Sequence, residues 1–225
     1  AQSDQEFEWI VADGGSQDGT VEMLRSLEGI TITILSQPDF GIYDAINRGL
    51  RAASGEYYVA VGSDDRLLPD AVANYRSAIC RSGADIITAS VISGNRSIRI
   101  RRGPQWLHGA HKFISNHSLG TAFRRDLHDR YGFYSPKYPL AADALFIIRA
   151  CMGGATRFAG GFVAGNIGDS GASARDWAGS ATEFFRVQLE TGRCFPMQAV
   201  LLNLRLLKGK LPGLRRLLYL VRRWT

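Results

Sequence analysis

Cysteine is scarce in this 225-residue chain. Only Cys80, Cys151 and Cys194 occur, far apart and odd in number, with no CxxC pair. That excludes a disulfide framework and a zinc knuckle, and it suits a reducing compartment. Long apolar runs are also missing: none approaches the ~20 residues needed to cross a bilayer. Acids are missing from the end of the chain. Leu201 to Thr225 carries Arg205, Lys208, Lys210, Arg215, Arg216, Arg222 and Arg223 and no Asp or Glu, while the whole chain has a net charge of +6. Everything before Leu201 therefore nets about −1, and the basic character belongs to the tail. A nucleic-acid groove needs cations spread across a face with aromatics interleaved, so no nucleic-acid partner is expected.

What remains is a composition able to fold: 45% of residues are hydrophobic, enough for a full core. The first hundred residues alternate between two periodicities. "FEWIVA", "ITITILS", "YYVAV" and "ADIITASVI" read as strands, the last with "RSIRIRR" as its hairpin partner. Between them lie a short helix carrying Val21, Leu24 and Leu27, a helix over "GIYDAINRGLRAASG", and one starting at Pro69 and stopping at Gly83. In the middle helix Ile42, Ala45, Ile46, Gly49, Leu50 and Ala53 form one apolar stripe. Strand and helix in alternation predict an α/β fold: a doubly wound, mostly parallel sheet with helices on both faces. Later, "SLGTAFRRD" and "TRFAGGFVAG" read as strands, and "LAADALFIIRAC" and Asp176 to Thr191 as helices. Two domains are expected, a catalytic one over 1–195 and a basic, leucine-rich helical tail over 196–225.

Acids collect at strand ends. Asp13 closes the first strand; Asp64 and Asp65 close "YYVAV". In open α/β sheets ligands bind beyond the carboxyl ends of strands. Adjacent carboxylates repel unless they share a cation, and carboxylate-only ligation suits Mg²⁺ or Mn²⁺. Turn and cap duty is the plainer alternative for the same residues. His108, His111 and His117 have no zinc-like spacing, and Arg149 is expected to form a salt bridge. Asn47 and Arg48 fall on the more polar side of their helix, near the expected crevice, where Arg48 either touches a diphosphate or is simply solvated.

The segments "EWIVADGGSQDGT", "GIYDAINRGLRAASGEYYVAVGSDD" and "AADALFIIRA", in that order, resemble the family 2 glycosyltransferases of the GT-A fold over roughly residues 7–175. The resemblance implies an inverting, metal-dependent transferase. It would move sugar from a nucleotide-diphosphate donor, with a UDP-sugar favoured, to a saccharide or lipid-linked acceptor in polysaccharide or glycoconjugate synthesis. It implies that Asp13 contacts the nucleotide base and that Asp64 and Asp65 form the DXD-like motif holding ribose and the divalent metal. It makes Asp143 the general base, and Tyr43 and Asp44 residues that shape the pocket. "NHSLGTAFRRDL" places His117 near the diphosphate or acceptor, and "GDSGAS" resembles a loop that covers the donor. Asn47 and Arg48 then count with the donor-binding residues. Gly62 stands where the family often has Asp or Asn, which removes one polar contact. The family's first strand is expected upstream of this chain. A sugar-phosphate nucleotidyltransferase is the alternative, although "DGGSQDGT" lacks the basic residue that would grip a triphosphate.

In the tail, Leu214, Leu217, Leu218 and Val221 form an apolar stripe flanked by arginines. Such a helix suits peripheral contact of 201–225 with an anionic membrane, and so a cytoplasmic protein at the inner face of the cell membrane.

Overall fold

The computed structural model describes residues 2–101, 103–115, 117–168, 171 and 175–210, with side chains described up to Leu207. In chain order, β1 (Trp9–Asp13), α1 (Thr20–Arg25), β2 (Ile32–Ser36), α2 (Ile42–Ala52) and β3 (Tyr57–Val59) follow the expected alternation. Then come β4 (Arg66–Leu67), α3 (Ala71–Ser82), β5 (Ile86–Ser93) and β6 (Arg96–Ile98). The second half contains α4 (Gln105–His108), β7 (Thr121–Arg124), α5 (Leu127–Tyr131), α6 (Ala142–Met152), β8 (Arg157–Asn166), α7 (Trp177–Glu190) and α8 (Phe195–Lys210). Among the described residues no helix is long and apolar enough to cross a membrane.

Two sheets form. β1 and β2 pair in parallel, Asp13 opposite Ser36. The larger sheet runs β3-β7-β5-β8-β4, with β6 on β5 as the expected hairpin. Its β5–β8 pairing is parallel, but β7 is antiparallel to both β3 and β5, and β4 is antiparallel to β8. The sheet is therefore mixed rather than mostly parallel. β7 is reached through 3₁₀ turns at Gly109–Lys112 and Ser118–Gly120. β6 and β7 are both antiparallel to β5 and so share a direction: the tight β5–β6 hairpin reverses the chain, and α4 with these turns carries it back to the end of the sheet where β6 began.

Alternation along the strands sorts the core into two layers. Ile86 and Phe123 face a cluster built around α6, with Leu145, Phe146, Ile148, Leu127, Tyr138 and Val187. Ile87 and Ala122 face the other way, against Tyr75 and Ala78 of α3. Helices thus cover both faces, as the sequence pattern requires. α3 begins one residue after Asp70 rather than at Pro69, and it ends at Gly83, whose φ of +60° suits glycine. α2 lies over β1, with Gly49 against Ile10, and sends Leu50 into the α6 core.

α8 is anchored to the domain. The buried Gln198 donates to the Trp106 carbonyl and Arg205 to that of Leu107. The expected division at 195/196 falls at the start of this packed helix. Residues 211–225, which carry the leucine–arginine stripe, lie outside the described residues, as does most of "GDSGAS".

Candidate active site

Asp13 ends β1 and bends the chain. Its Oδ2 accepts from the backbone N–H of Gly15 (2.9 Å) and Ser16 (3.0 Å) and from the Ser36 hydroxyl (2.6 Å); Oδ1 accepts from the Ser16 hydroxyl (2.5 Å). The Ser16 hydroxyl foremost, then that of Ser36 and the Ser16 N–H, holds this carboxyl well below the usual range. Asp13 is a permanent anion that shapes the turn after β1. The serines had no sign in the sequence beyond their place in "DGGSQDGT" and at the end of "ITILS".

Arg48, on α2, reaches the back of that turn. Its Nη2 lies 3.4 Å from the Asp13 carbonyl oxygen and 3.6 Å from Asp39 Oδ2. Nε and Nη1 are buried and make no hydrogen bond among the described residues, although Nε also faces Asp44 Oδ2 at 4.0 Å. Buried guanidinium donors left unpaired are costly, and an anion entering the crevice would satisfy them. Arg48 is thus not merely solvated.

Asn47 departs from expectation. It is buried; its amide donates to the Tyr134 carbonyl (2.8 Å) and its carbonyl accepts from the Tyr134 N–H (3.0 Å). Both ends serve the backbone of one residue, so Asn47 pins α2 to the 134 segment and has no free end for a nucleotide. A polar residue on the less apolar side of a helix looks solvated in sequence; the tertiary contact reverses that.

Past β3 the chain turns through Gly62, Asp64 and Asp65. The Asp65 side chain is only 2% exposed. Its Oδ2 accepts from the Gly62 N–H (3.0 Å) and its Oδ1 from the Gly168 N–H (3.1 Å). Asp64 is the exposed member of the pair. A methyl group added at Gly168 would overlap the Asp64 carboxylate, and one at Gly62 would sit 3.0 Å from Asp65 Oδ2 and 3.1 Å from Asp64 Oδ1. Gly62 is therefore the residue that lets both acids crowd one turn. Among the described residues no group of three or more His, Cys, Asp or Glu is placed to hold a metal. The pair fits a divalent ion only as a two-carboxylate site, with the remaining oxygens drawn from phosphate and water.

His117 lies beside this turn, its Nδ1 3.7 Å from Asp65 Oδ2. That same nitrogen accepts from the Leu119 N–H at 3.3 Å. In the neutral ring this contact leaves the proton on Nε2; in the protonated ring the charge faces Asp65.

Asp143 stands in the first turn of α6. Its Oδ1 accepts from the Tyr43 hydroxyl (2.7 Å) and from the Ala144 N–H (2.7 Å). Burial raises its pKa; the Tyr43 and Ala144 donors, and more weakly the charge of His117, pull it back. His117 thus lies within electrostatic reach of Asp143 and against Asp65. Arg48 and Tyr43, five residues apart on α2, reach the β1 turn and Asp143. α2 thus touches the Asp13 main chain through Arg48 and the Asp143 carboxylate through Tyr43. His111 is buried against Phe184 and pushed down to about 4 by that burial, and Arg149 pairs with Glu190 at 2.9 Å. Neither belongs to the cluster.

A family model described as Glycosyl transferase family 2 matches residues 1–136. The PGL/p-HBAD biosynthesis glycosyltransferase of Mycobacterium bovis (strain BCG / Pasteur 1173P2) is 32% identical over 150 residues, which cover 64% of this chain and 58% of that protein. Chondroitin synthase of Pasteurella multocida (strain Pm70) is 29% identical over 126 residues, covering 53% of this chain and 13% of that protein. The chain thus spans less than two thirds of the length of these relatives. Among solved structures, S. aureus TarS in complex with UDP superposes with a TM-score of 0.61 at 17% identity, covering 92% of this chain and 64% of that one. Mannosyltransferase PcManGT from Pyrobaculum calidifontis, in complex with GDP-Man and Mn²⁺, gives 0.61 at 18% identity, covering 96% and 70%. The fold is that of the GT-A glycosyltransferases.

Proposed function

This chain belongs to glycosyl transferase family 2, and on that premise we propose that it is an inverting glycosyltransferase. It takes sugar from a nucleotide-diphosphate donor, preferably a UDP-sugar, to a hydroxyl of a saccharide or lipid-linked acceptor. The observation that carries this reading is the span of α2: Arg48, with buried donors that make no hydrogen bond, lies against the β1 turn, and Tyr43 holds Asp143. The family match favours sugar transfer over nucleotidyl transfer.

Each residue has a task. Asp13, kept ionised, offers its remaining Oδ1 lone pair to the nucleotide base. Arg48 donates to the diphosphate. Asp64 and Asp65 would hold Mg²⁺ or Mn²⁺, whose charge when bound offsets that of the leaving group. Support comes from PcManGT, which binds GDP-Man with Mn²⁺. His117 lies against Asp65 and within electrostatic reach of Asp143. The acceptor hydroxyl is a poor nucleophile with its proton on, and Asp143 takes that proton through Oδ2 as the oxygen attacks C1 of the sugar. The C1–O bond to the diphosphate breaks on the opposite face, its electron pair leaving with the phosphate. One displacement gives one inversion.

Replacing Asp143 with Asn keeps the shape and removes the base. Release of UDP or GDP from UDP-glucose, UDP-GlcNAc and GDP-mannose with Mn²⁺ is expected to slow ~10²–10⁴-fold, with donor binding retained. Unchanged turnover would remove the assignment.

A second observation supports peripheral membrane contact, which we place at the cytoplasmic face as part of the same proposal. On α8, Val200, Leu204 and Leu207 are 60%, 56% and 50% exposed. Spaced four and three apart, they share one side. They lead into the acid-free basic tail. Co-sedimentation with vesicles containing phosphatidylglycerol, lost in 1 M salt or in Leu204→Glu, checks this; no binding to such vesicles contradicts it.

A further inference from the structure

Tyr43 is a residue whose part in the reaction the family match does not assign. Its ring packs 5.3 Å from that of Tyr134, and its hydroxyl has two acceptors within reach: the Leu140 carbonyl at 3.4 Å and Asp143 Oδ1 at 2.7 Å. The shorter contact takes the proton. Burial and the neighbouring Asp143 charge keep the phenol protonated far into the alkaline range, so it remains a donor at every working pH. The Ala144 N–H donates to the same carboxylate oxygen. Both donors therefore converge on Oδ1, and no other residue among those described hydrogen-bonds to Oδ2.

We propose that Tyr43 is a positioning residue for Asp143, fixing the carboxylate through Oδ1 so that Oδ2 alone is presented to the attacking hydroxyl. This rests on the reading of Asp143 as the base. A base must meet the proton it abstracts within hydrogen-bond reach, and a carboxylate with two fixed donors on one oxygen has lost its rotational freedom. The other groups that face Asp143 do not duplicate the task. From β3 and from the segment before α6, the hydroxyls of Tyr58 and Tyr134 bond to each other at 2.8 Å, and that of Tyr58 also bonds to His128 at 2.7 Å. From the turn before β7, His117 acts by charge alone. Tyr43 is the one side chain among the described residues that hydrogen-bonds to Asp143.

The test separates positioning from mere packing. In the full chain with ¹³C-labelled aspartate, the Asp143 carboxyl is titrated by NMR, its signal assigned by loss in Asp143→Asn. Tyr43→Phe keeps the ring and removes the donor to the ionised form. The titration is then expected to move up by about one to two pH units, the worth of one charged hydrogen bond. The acidic limb of kcat for UDP or GDP release moves with it, while KM for the donor stays put. Replacing Tyr43 by 3-fluorotyrosine, a stronger donor, moves both the other way; it also serves if Tyr43→Phe folds poorly. An unmoved titration and limb in these variants, with Asp143→Asn inactive, overturns the Tyr43 proposal alone. Wild-type turnover in Asp143→Asn overturns the base reading and the positioning built on it.

Discussion

Asp13 and Asp143 are the same residue in opposite surroundings. Asp13 closes a strand into a turn rich in hydroxyl and N–H donors, four of which meet its two oxygens. Asp143 opens a helix whose other residues are almost all buried, and two donors meet one oxygen. Surplus donors stabilise the anion and push its pKa down; burial destabilises it and pushes the pKa up. The first acid is useful as a fixed charge, the second as a group that accepts a proton. Carboxylates driven apart by their environments mark separate roles, and α2 is the beam that spans them.

That contrast depends first on where α2 sits, so the largest effect is expected from Asn47→Ala. It removes both bonds to the buried Tyr134 peptide and leaves an N–H and a C=O unpaired, at a cost of about 2–4 kcal/mol. Urea unfolding should show the loss. A change within ~0.5 kcal/mol would mean that α2 is held elsewhere.

A smaller effect is expected at the metal pair. Gly168→Ala forces a methyl into the Asp64 carboxylate without disturbing Asp13 or Asp143. Binding of UDP or GDP with Mn²⁺, followed by calorimetry, should weaken by about tenfold, about 1.4 kcal/mol, while binding without metal stays the same. Equal weakening in both conditions would detach Asp64 from the metal.

The smallest effect at neutral pH concerns Asp13. Its folded pKa is depressed, so its contribution to stability is present above the unfolded value near 3.9 and is lost as pH falls through the folded one. Asp13→Asn should flatten the fall in stability below about pH 4. Asp143 has the reverse sign: its raised pKa favours the protonated folded form, so ionisation weakens the fold as pH rises from the unfolded value through the folded one. Asp143→Asn should remove that slope. Guanidinium midpoints across pH 2–8 distinguish the two.

Much of this was legible in the sequence. The period-two and 3.6 patterns placed β1, β2, α2, α6, α7 and β8, because one buried face per element leaves its mark locally. The order of strand-end acids and the late helix acid supplied the candidate site residues. Pairing direction was not legible: β7 looks like any short apolar strand, and nothing in its own residues shows that it pairs antiparallel with β3 and β5. Side chains that act across the fold were also hidden. Asn47 reads as a donor-binding residue until Tyr134 is beside it, 87 positions away. Tyr43 lies 100 positions from the carboxylate it binds. Pro69 suggested a helix start by its usual place at the first position; here it stands before Asp70, and the helix follows.

The measurement that bears most directly on the account is a site-resolved carboxyl titration of Asp13 and Asp143 in the same ¹³C-labelled wild-type sample. The account predicts two well-separated transitions, with Asp13 still ionised at the acid end and Asp143 titrating above an ordinary aspartate. Coincident transitions, or Asp143 losing its proton before Asp13, would contradict it.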